Sequence, residues 1–431
     1  MNPHLRRSRK LIFSHKAWKI RLVFWLGAIM VGVICAIFTK IAENATEVFL
    51  SIAHYNPYLP IVITPLSLML ITWITLKFFR GAHGSGIPQT IAALEVPDKP
   101  KLLSMKIAVG KIFLALAGLT SGASLGTQAP SVQIGASIMF SLGRLTRFPS
   151  HYMERGLILA GGAAGIAAAF NTPLAGIVFA IEEMSRSFEQ RTSGIVMTAV
   201  IIAGLTAMTI FGSYHYFGTI PASLPEISFS WLAILLCGVI GGFLGGLFSQ
   251  SLILFTRKVI PFALRKPVLM ALLAGLSVAI INFISDYQSV GTGYVQAKSL
   301  FSQAQPFDPW YPLEKAAATF ASFMTGIPGG IFAPSLATGA GLGANIGQWL
   351  PSLASMETLI LLGMLAYFTG VVQTPLTAFI IVMEMTNSQD MMLALIATAF
   401  IAKGTSQLIC PMPLYRALAD LFIVYSPVLK K

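Results

Sequence analysis

Apolar residues run along this chain in long blocks separated by short polar punctuation. Blocks near 22–40, 58–78, 193–212, 230–256 and 390–409 are long enough to cross a bilayer as helices, given a hydrocarbon core of about 30 Å and a rise of about 1.5 Å per residue. Between them lie shorter apolar pieces interrupted by Gly and Pro, at 107–120, 131–143, 158–170, 173–184, 331–347, 359–370 and 375–386. Many of these are too short to cross alone. Broken backbone at membrane depth is tolerated only where it is buried in protein or lines a cavity. The pattern therefore predicts an all-α, polytopic bundle in which several helices are broken or re-entrant.

Composition narrows the class further. Only 10% of the residues are charged, against about 25% in an ordinary globular protein. No polar block is long enough for a soluble domain; the longest are the first 21 residues and the loops near 95–101 and 302–312. The net charge of +13 would suit nucleic acid, but its placement does not. Arg6, Arg7, Arg9, Lys10, Lys16, Lys19 and Arg21 crowd directly ahead of an apolar run, the positive-inside signature of a cytoplasmic tail. No small-residue cleavage site follows Leu22–Phe38, which reads as a first transmembrane helix rather than a signal peptide. Arg257/Lys258, Arg265/Lys266 and Lys430/Lys431 mark further cytoplasmic ends. The expectation is a multi-pass protein of a bacterial inner membrane with both termini cytoplasmic.

Candidate chemistry excludes more than it supplies. Cys35, Cys237 and Cys410 each stand alone in apolar sequence, and His4, His15, His54, His83, His151 and His215 form no helical-spacing pair. That offers no metal or disulfide pattern, implies no cofactor, and argues against an intramembrane hydrolase. A cation channel would need acidic rings at its constriction.

The chain also repeats itself. Gly84-Ser85-Gly86 with Gln89 recurs as Gly291-Thr292-Gly293 with Gln296, at an offset of 207. Ala129-Pro130-Ser131, Gly135-Ala136 and Gly143 recur as Ala333-Pro334-Ser335, Gly339-Ala340 and Gly347, at 204. Thr172-Pro173-Leu174 with Glu182 recurs as Thr374-Pro375-Leu376 with Glu384, at 202. Three matches in one order describe two homologous halves, about 22–215 and 225–410. Corresponding broken helices in two halves point to a transporter's binding site.

Three of these stretches place a Pro at the start of a helix just after small residues: Gly84–Pro88, Gly126–Pro130 and Gly330–Pro334. Proline in the first helical turn sacrifices no hydrogen bond. The N-terminus behind it presents free N–H groups and a partial positive charge, which suits an anion. Any one of them alone fits an ordinary loop followed by a helix. Three aimed at one point could hold a halide loosely, where a full charge in low dielectric would trap it.

These motifs resemble those of the CLC family of chloride channels and proton/chloride antiporters. The resemblance runs from about Leu22 to Phe422 and includes Ala168–Gly176 leading into Glu182-Glu183, and Pro413-Leu414-Tyr415. It implies about eighteen helices in two inverted halves over 22–422, behind a basic segment 1–21 and before a short tail 423–431, and a homodimer with one anion pathway per subunit. No long tail follows Phe422, so the paired regulatory domains of some members are not expected. Carried over by position, Ser85 and Tyr415 would give two hydroxyls to a central chloride site, completed by the N–H groups of Ile331 and Phe332. Backbone around Thr127, Gln128 and Ala129 would form an outer site. Lys111 matches a basic position whose charge favours anions at long range; by itself it reads equally as a snorkelling lysine.

The departures matter most. Proton-coupled members carry Glu where Gln128 stands, and that Glu plugs an anion site when ionised. Gln has nearly the shape of a protonated Glu but cannot ionise. Thr127 and Ala129 replace a basic residue and a Gly, and Ala129 puts a methyl where close approach to the anion is wanted. Glu183 occupies the place of the inner proton-transfer Glu; on residues alone, Glu182-Glu183 reads equally as an acidic pair near water held by Arg186. The expected function is passive or uncoupled movement of chloride and similar anions. The alternative is proton antiport through Glu183 and an unrecognised outer acceptor.

Overall fold

The predicted apolar blocks become helices that pack on one another through small residues, giving an all-α bundle. The computed structural model describes residues 15–145, 151–185, 190–212, 216–224, 229–302 and 308–425. Arg6, Arg7, Arg9, Lys10, Arg186, Lys430 and Lys431 lie outside the described residues. Seventeen α-helices occupy that range: α1 (His15–Tyr55), α2 (Leu59–Phe78), α3 (Ile87–Glu95), α4 (Met105–Thr120), α5 (Gln128–Leu145), α6 (His151–Phe170), α7 (Pro173–Phe179), α8 (Gln190–Phe211), α9 (Leu232–Arg265), α10 (Pro267–Ile284), α11 (Tyr294–Ser302), α12 (Tyr311–Met324), α13 (Phe332–Trp349), α14 (Met356–Val372), α15 (Pro375–Thr386), α16 (Met392–Ile409) and α17 (Leu414–Tyr425).

Among the described residues, six stretches are long and apolar enough to cross a membrane: Arg21–Tyr55, Leu59–Phe78, Lys99–Thr120, Leu232–Arg265, Pro267–Ile284 and Gln389–Ile409. Two of these correct the sequence reading. The 107–120 piece gains length because a 3₁₀ turn at Lys99–Lys101 leads into α4 behind the Ser104 N-cap. The second, α10, was not among the predicted blocks. The sequence runs from α9 through Arg265-Lys266 straight into Pro267, and the break is a single residue, Lys266, in a non-helical conformation.

The two halves are packed alike. In the first, α5 lies on α6 so closely that a Cβ at Gly135 would stand 2.2 Å from the Gly161 carbonyl oxygen. In the second, α13 lies on α14 with Gly339 against the Gly363 carbonyl at 2.7 Å in the same sense. Small residues substitute for the missing hydrophobic drive between helices in lipid by letting backbones meet.

Contacts between the halves reveal how they are related. Gly126 and Gly330 are repeat equivalents, and each donates its N–H to the other's carbonyl, at 2.7 and 2.8 Å, in an isolated antiparallel bridge. The cross-link recurs at the acidic positions. Glu182 accepts from the Leu376 and Thr377 N–H groups at the start of α15, at 3.2 and 2.7 Å. Glu384 accepts from Leu174 and Ala175 at the start of α7, at 3.2 and 2.9 Å. Equivalent residues can exchange identical bonds only across a local two-fold axis. The halves are therefore two-fold mates, the relation that inverted repeats require.

Candidate functional site

The central bridge fixes where the site lies. Chains pass Gly126 and Gly330 in opposite directions, and each enters a helix two residues later, α5 at Gln128 and α13 at Phe332. Two N-termini thus meet at one place from opposite sides. The third, α3, joins them through Gly86, its N-cap. Gly86 has φ +119°, and a Cβ there would stand 2.4 Å from the Ala129 carbonyl oxygen. Only glycine allows that backbone and that approach. Each N-terminus carries roughly half a positive charge.

The start of α3 is held by a dense set of bonds. Gly86 donates to Gln89 Oε1 at 2.8 Å, and Gln89 Nε2 donates to the His83 carbonyl at 2.8 Å. Beneath the loop, Lys111 Nζ donates to the Ala82 and Gly84 carbonyls at 3.0 and 2.8 Å and to Gln133 Oε1 at 2.7 Å. Gln133 Nε2 in turn donates to the carbonyls of Gly81 and Leu102, both at 2.9 Å. This corrects one of the two readings of Lys111, the snorkelling one. It is fully buried, so it does not snorkel, and its three protons have three partners. It clamps the loop that presents Ser85, and because its three acceptors are neutral its charge can still act on an anion at a distance.

Ser85 and Tyr415 lie near each other. Both are buried, and neither hydroxyl has a hydrogen-bond partner at normal geometry, yet they lie close enough to interact electrostatically, with Glu183 also within reach of Tyr415. Tyr415 is brought there by α17. The next residue, Arg416, pairs with Glu95 at the end of α3 and with Asp420 at 3.3 Å, and the Phe422 ring stacks on His83 with centroids 5.1 Å apart. Arg416 and Glu95 were not singled out in the sequence. Ion pairs between distant helices leave no local spacing signal.

Ile331 and Phe332 form the N-cap and first residue of α13, both buried. The Phe332 ring sits 5.5 Å from the Tyr415 ring and 5.0 Å from Phe368. A cavity of about 510 Å³ reaches Ser85 from one side, lined by Arg80, His83, Pro88, Gln89 and Phe422 among others. On the other side of the bridge, Thr127 and Gln128 are buried, and the Thr127 hydroxyl and both Gln128 amide atoms have no hydrogen-bond partner. Gln128 Oε1 lies 2.7 Å from where a Gly126 side chain would start, a point also 3.3 Å from the Ala333 nitrogen. The carboxamide therefore occupies the meeting place of α5 and α13. The Ala129 methyl lies against Gly330, 2.8 Å from where a Cβ would be.

Burying a polar group without a partner costs about 1–3 kcal/mol. Four such residues from three segments, beside three helix N-termini, form a place where something polar belongs. The donors and dipole ends present are those an anion requires. The sequence from residue 67 to 407 matches the family model described as "Voltage gated chloride channel". The chain belongs to the voltage-gated chloride channel (CLC) family. It is 31% identical over 355 residues to the H(+)/Cl(−) exchange transporter ClcA of Vibrio cholerae serotype O1 (strain M66-2), covering 79% of this chain and 75% of that one. The corresponding transporter of Salmonella paratyphi B is 31% identical over 372 residues, covering 83% and 77%. Among solved structures, a slow cyanobacterial Cl⁻/H⁺ antiporter superposes with a TM-score of 0.82 at 24% identity, over 94% of this chain and 98% of that one. A CLC-type fluoride/proton antiporter gives 0.81 at 21%, over 94% and 99%. The fold is thus that of the CLC transporters, and the protein is an integral, multi-pass membrane transporter of anions.

Glu182 and Glu183 separate in role. They fall on a π-helical stretch, Ala180–Ser185, following α7. Such wide turns concentrate at functional sites. The extra residue per turn swings Glu182 to the α15 N-terminus and leaves Glu183 buried on the Tyr415 side. They are not one acidic pair near water.

Proposed function

We propose that this protein carries chloride and similar small anions, such as bromide, across the membrane without fixed exchange for protons. Ser85, Tyr415 and the N–H groups of Ile331 and Phe332 hold a central anion; Thr127, Gln128 and Ala129 surround an outer one. The observation that carries the reading is the Gln128 carboxamide, buried with both polar atoms unpartnered where the α5 and α13 N-termini meet. A group there that titrates would alternate between blocking the anion site and leaving it. A carboxamide does neither, so Gln128 acts as a permanently neutral gate.

Binding by partial charges suits transport. A fixed unit charge about 4 Å from an anion attracts it by roughly 4 kcal/mol at an effective dielectric constant of 20, whereas a helix N-terminus contributes about 0.3–2 kcal/mol. Several weak terms select an anion and still release it. The test is anion efflux from liposomes containing the purified protein. Chloride and bromide should pass, and Ser85→Pro should raise nitrate relative to chloride. Fluoride-selective flux with chloride excluded would sink the assignment.

A second reading is proton-coupled antiport, as the names of the ClcA relatives state for those proteins. The burial of Glu183 within electrostatic reach of Tyr415 supports it. It requires an outer proton acceptor other than residue 128.

A further inference from the structure

The motif repeat leaves one element that the central site does not use. Gly291-Thr292-Gly293, the equivalent of Gly84-Ser85-Gly86, leads into α11. Its surroundings copy those of Ser85. Lys315, the repeat mate of Lys111, is fully buried and donates to the carbonyls of Ser289, Val290 and Gly291 at 2.8, 3.1 and 2.8 Å. The first half uses an ammonium to hold the loop that presents Ser85; the second half holds the loop that presents Thr292 in the same way. Gly291 and Gly293 have positive φ, +65° and +77°, and the Gly293 carbonyl accepts from Ala297 as the N-cap of a nine-residue helix. The N–H groups of the first turn beyond it point back over Gly293.

In the first half the second hydroxyl comes from Tyr415, on the last helix. In the second half one is supplied locally. Tyr311, at the start of α12, is only 3% exposed, and its hydroxyl has no hydrogen-bond partner. That hydroxyl lies 3.2 Å from where a side chain on Gly293 would begin, and Lys315 Cε lies 2.8 Å from the same point. It is aimed at the α11 N-terminus. Thr292 Oγ accepts from the Tyr294 N–H at 3.3 Å and keeps its own proton to donate.

We propose that Thr292, the Tyr311 hydroxyl and the α11 N-terminus bind a small monovalent anion, as the two-fold-related counterpart of the Ser85 site. In the inverted halves that the family resemblance implies, it lies toward the opposite mouth from Ser85. A hydrogen bond ties its loop to the segment that leads into Thr127 and Gln128: the Gly291 N–H donates to the Ala123 carbonyl at 3.2 Å. The site is a waiting position for an anion entering or leaving past Gln128. The inference rests on the anion-transport reading.

Bromide is the probe, because its anomalous scattering marks it in crystals of the full chain. Bromide-soaked crystals should show one peak at Ser85–Tyr415 and another in contact with the Tyr311 hydroxyl. The second peak should vanish in Tyr311→Phe while the first remains. Severalfold more chloride should then be needed for half-maximal flux from the Gln128 side, with the requirement on the Ser85 side unchanged. A peak at Ser85 with none at Tyr311 would overturn this inference alone. So would a Tyr311 peak whose loss leaves the chloride requirement unmoved, since it would be an adventitious ion only. Bromide at neither place would overturn the transport reading as well. Thr292→Val supplies an independent variant if Tyr311→Phe folds poorly.

Discussion

Gln128 is the residue on which the mechanism turns, because its side chain has nothing to titrate. Gln128→Glu places an ionisable group at the meeting of two positive helix ends. Its ionised form occupies an anion position and protonation vacates it. Flux through the variant should therefore rise as pH falls through that carboxyl's range, while the unmodified protein changes little over the same range. Liposome efflux across a pH series checks this, and a flat profile for Gln128→Glu would show that residue 128 lies off the pathway. Gly86 is constrained differently. Alanine there combines φ +119° with a contact of 2.4 Å to the Ala129 carbonyl oxygen, and backbone strain of that kind costs roughly 1–3 kcal/mol. Gly86→Ala should lower the unfolding temperature in detergent and reduce chloride flux together.

Between elements, the reciprocal carboxylate caps tie the halves to each other. Glu182 holds the α15 N-terminus and Glu384 the α7 N-terminus, and a charged cap contributes about 1 kcal/mol. Glu182→Gln and Glu384→Gln should each lower thermal stability modestly, with chloride selectivity retained. Lys111→Met should do more. It leaves the Ala82 and Gly84 carbonyls and Gln133 Oε1 without their donor, so the loop presenting Ser85 loosens, and chloride flux from liposomes should fall at least about tenfold. The sequence made the three helix starts visible, since Gly and Pro mark them within five residues. It also marked Glu182 and Glu384 as repeat mates. It hid their partners, because each carboxylate caps a helix in the other half rather than its own. Lys315 stands at the Lys111 offset but within a polar loop-to-helix stretch, where a lysine attracts no notice. Tyr415 needed the family resemblance. A tyrosine near a terminal helix has no signature of its own, and only the Arg416–Glu95 pair shows why it reaches Ser85. The helix α10 leaves no break of its own in the sequence, because its boundary with α9 is one residue, not a loop.

For the whole molecule, contacts between repeat equivalents make the halves two-fold mates and bring every residue of the proposed pathway together within one chain. A homodimer should then have two independent pathways. Inactivating one subunit of a covalently linked dimer should leave about half the chloride flux; complete loss would place the pathway on the dimer axis. The central claim is that this pathway moves anions without proton exchange, although Glu183 sits buried beside it and the relatives it resembles are named as exchangers. Simultaneous recording of chloride and proton movement in liposomes under an imposed chloride gradient tests it most directly. The account predicts sustained chloride flux with no uphill proton movement; protons driven uphill by the unmodified protein, and stopped by Glu183→Gln, would contradict it.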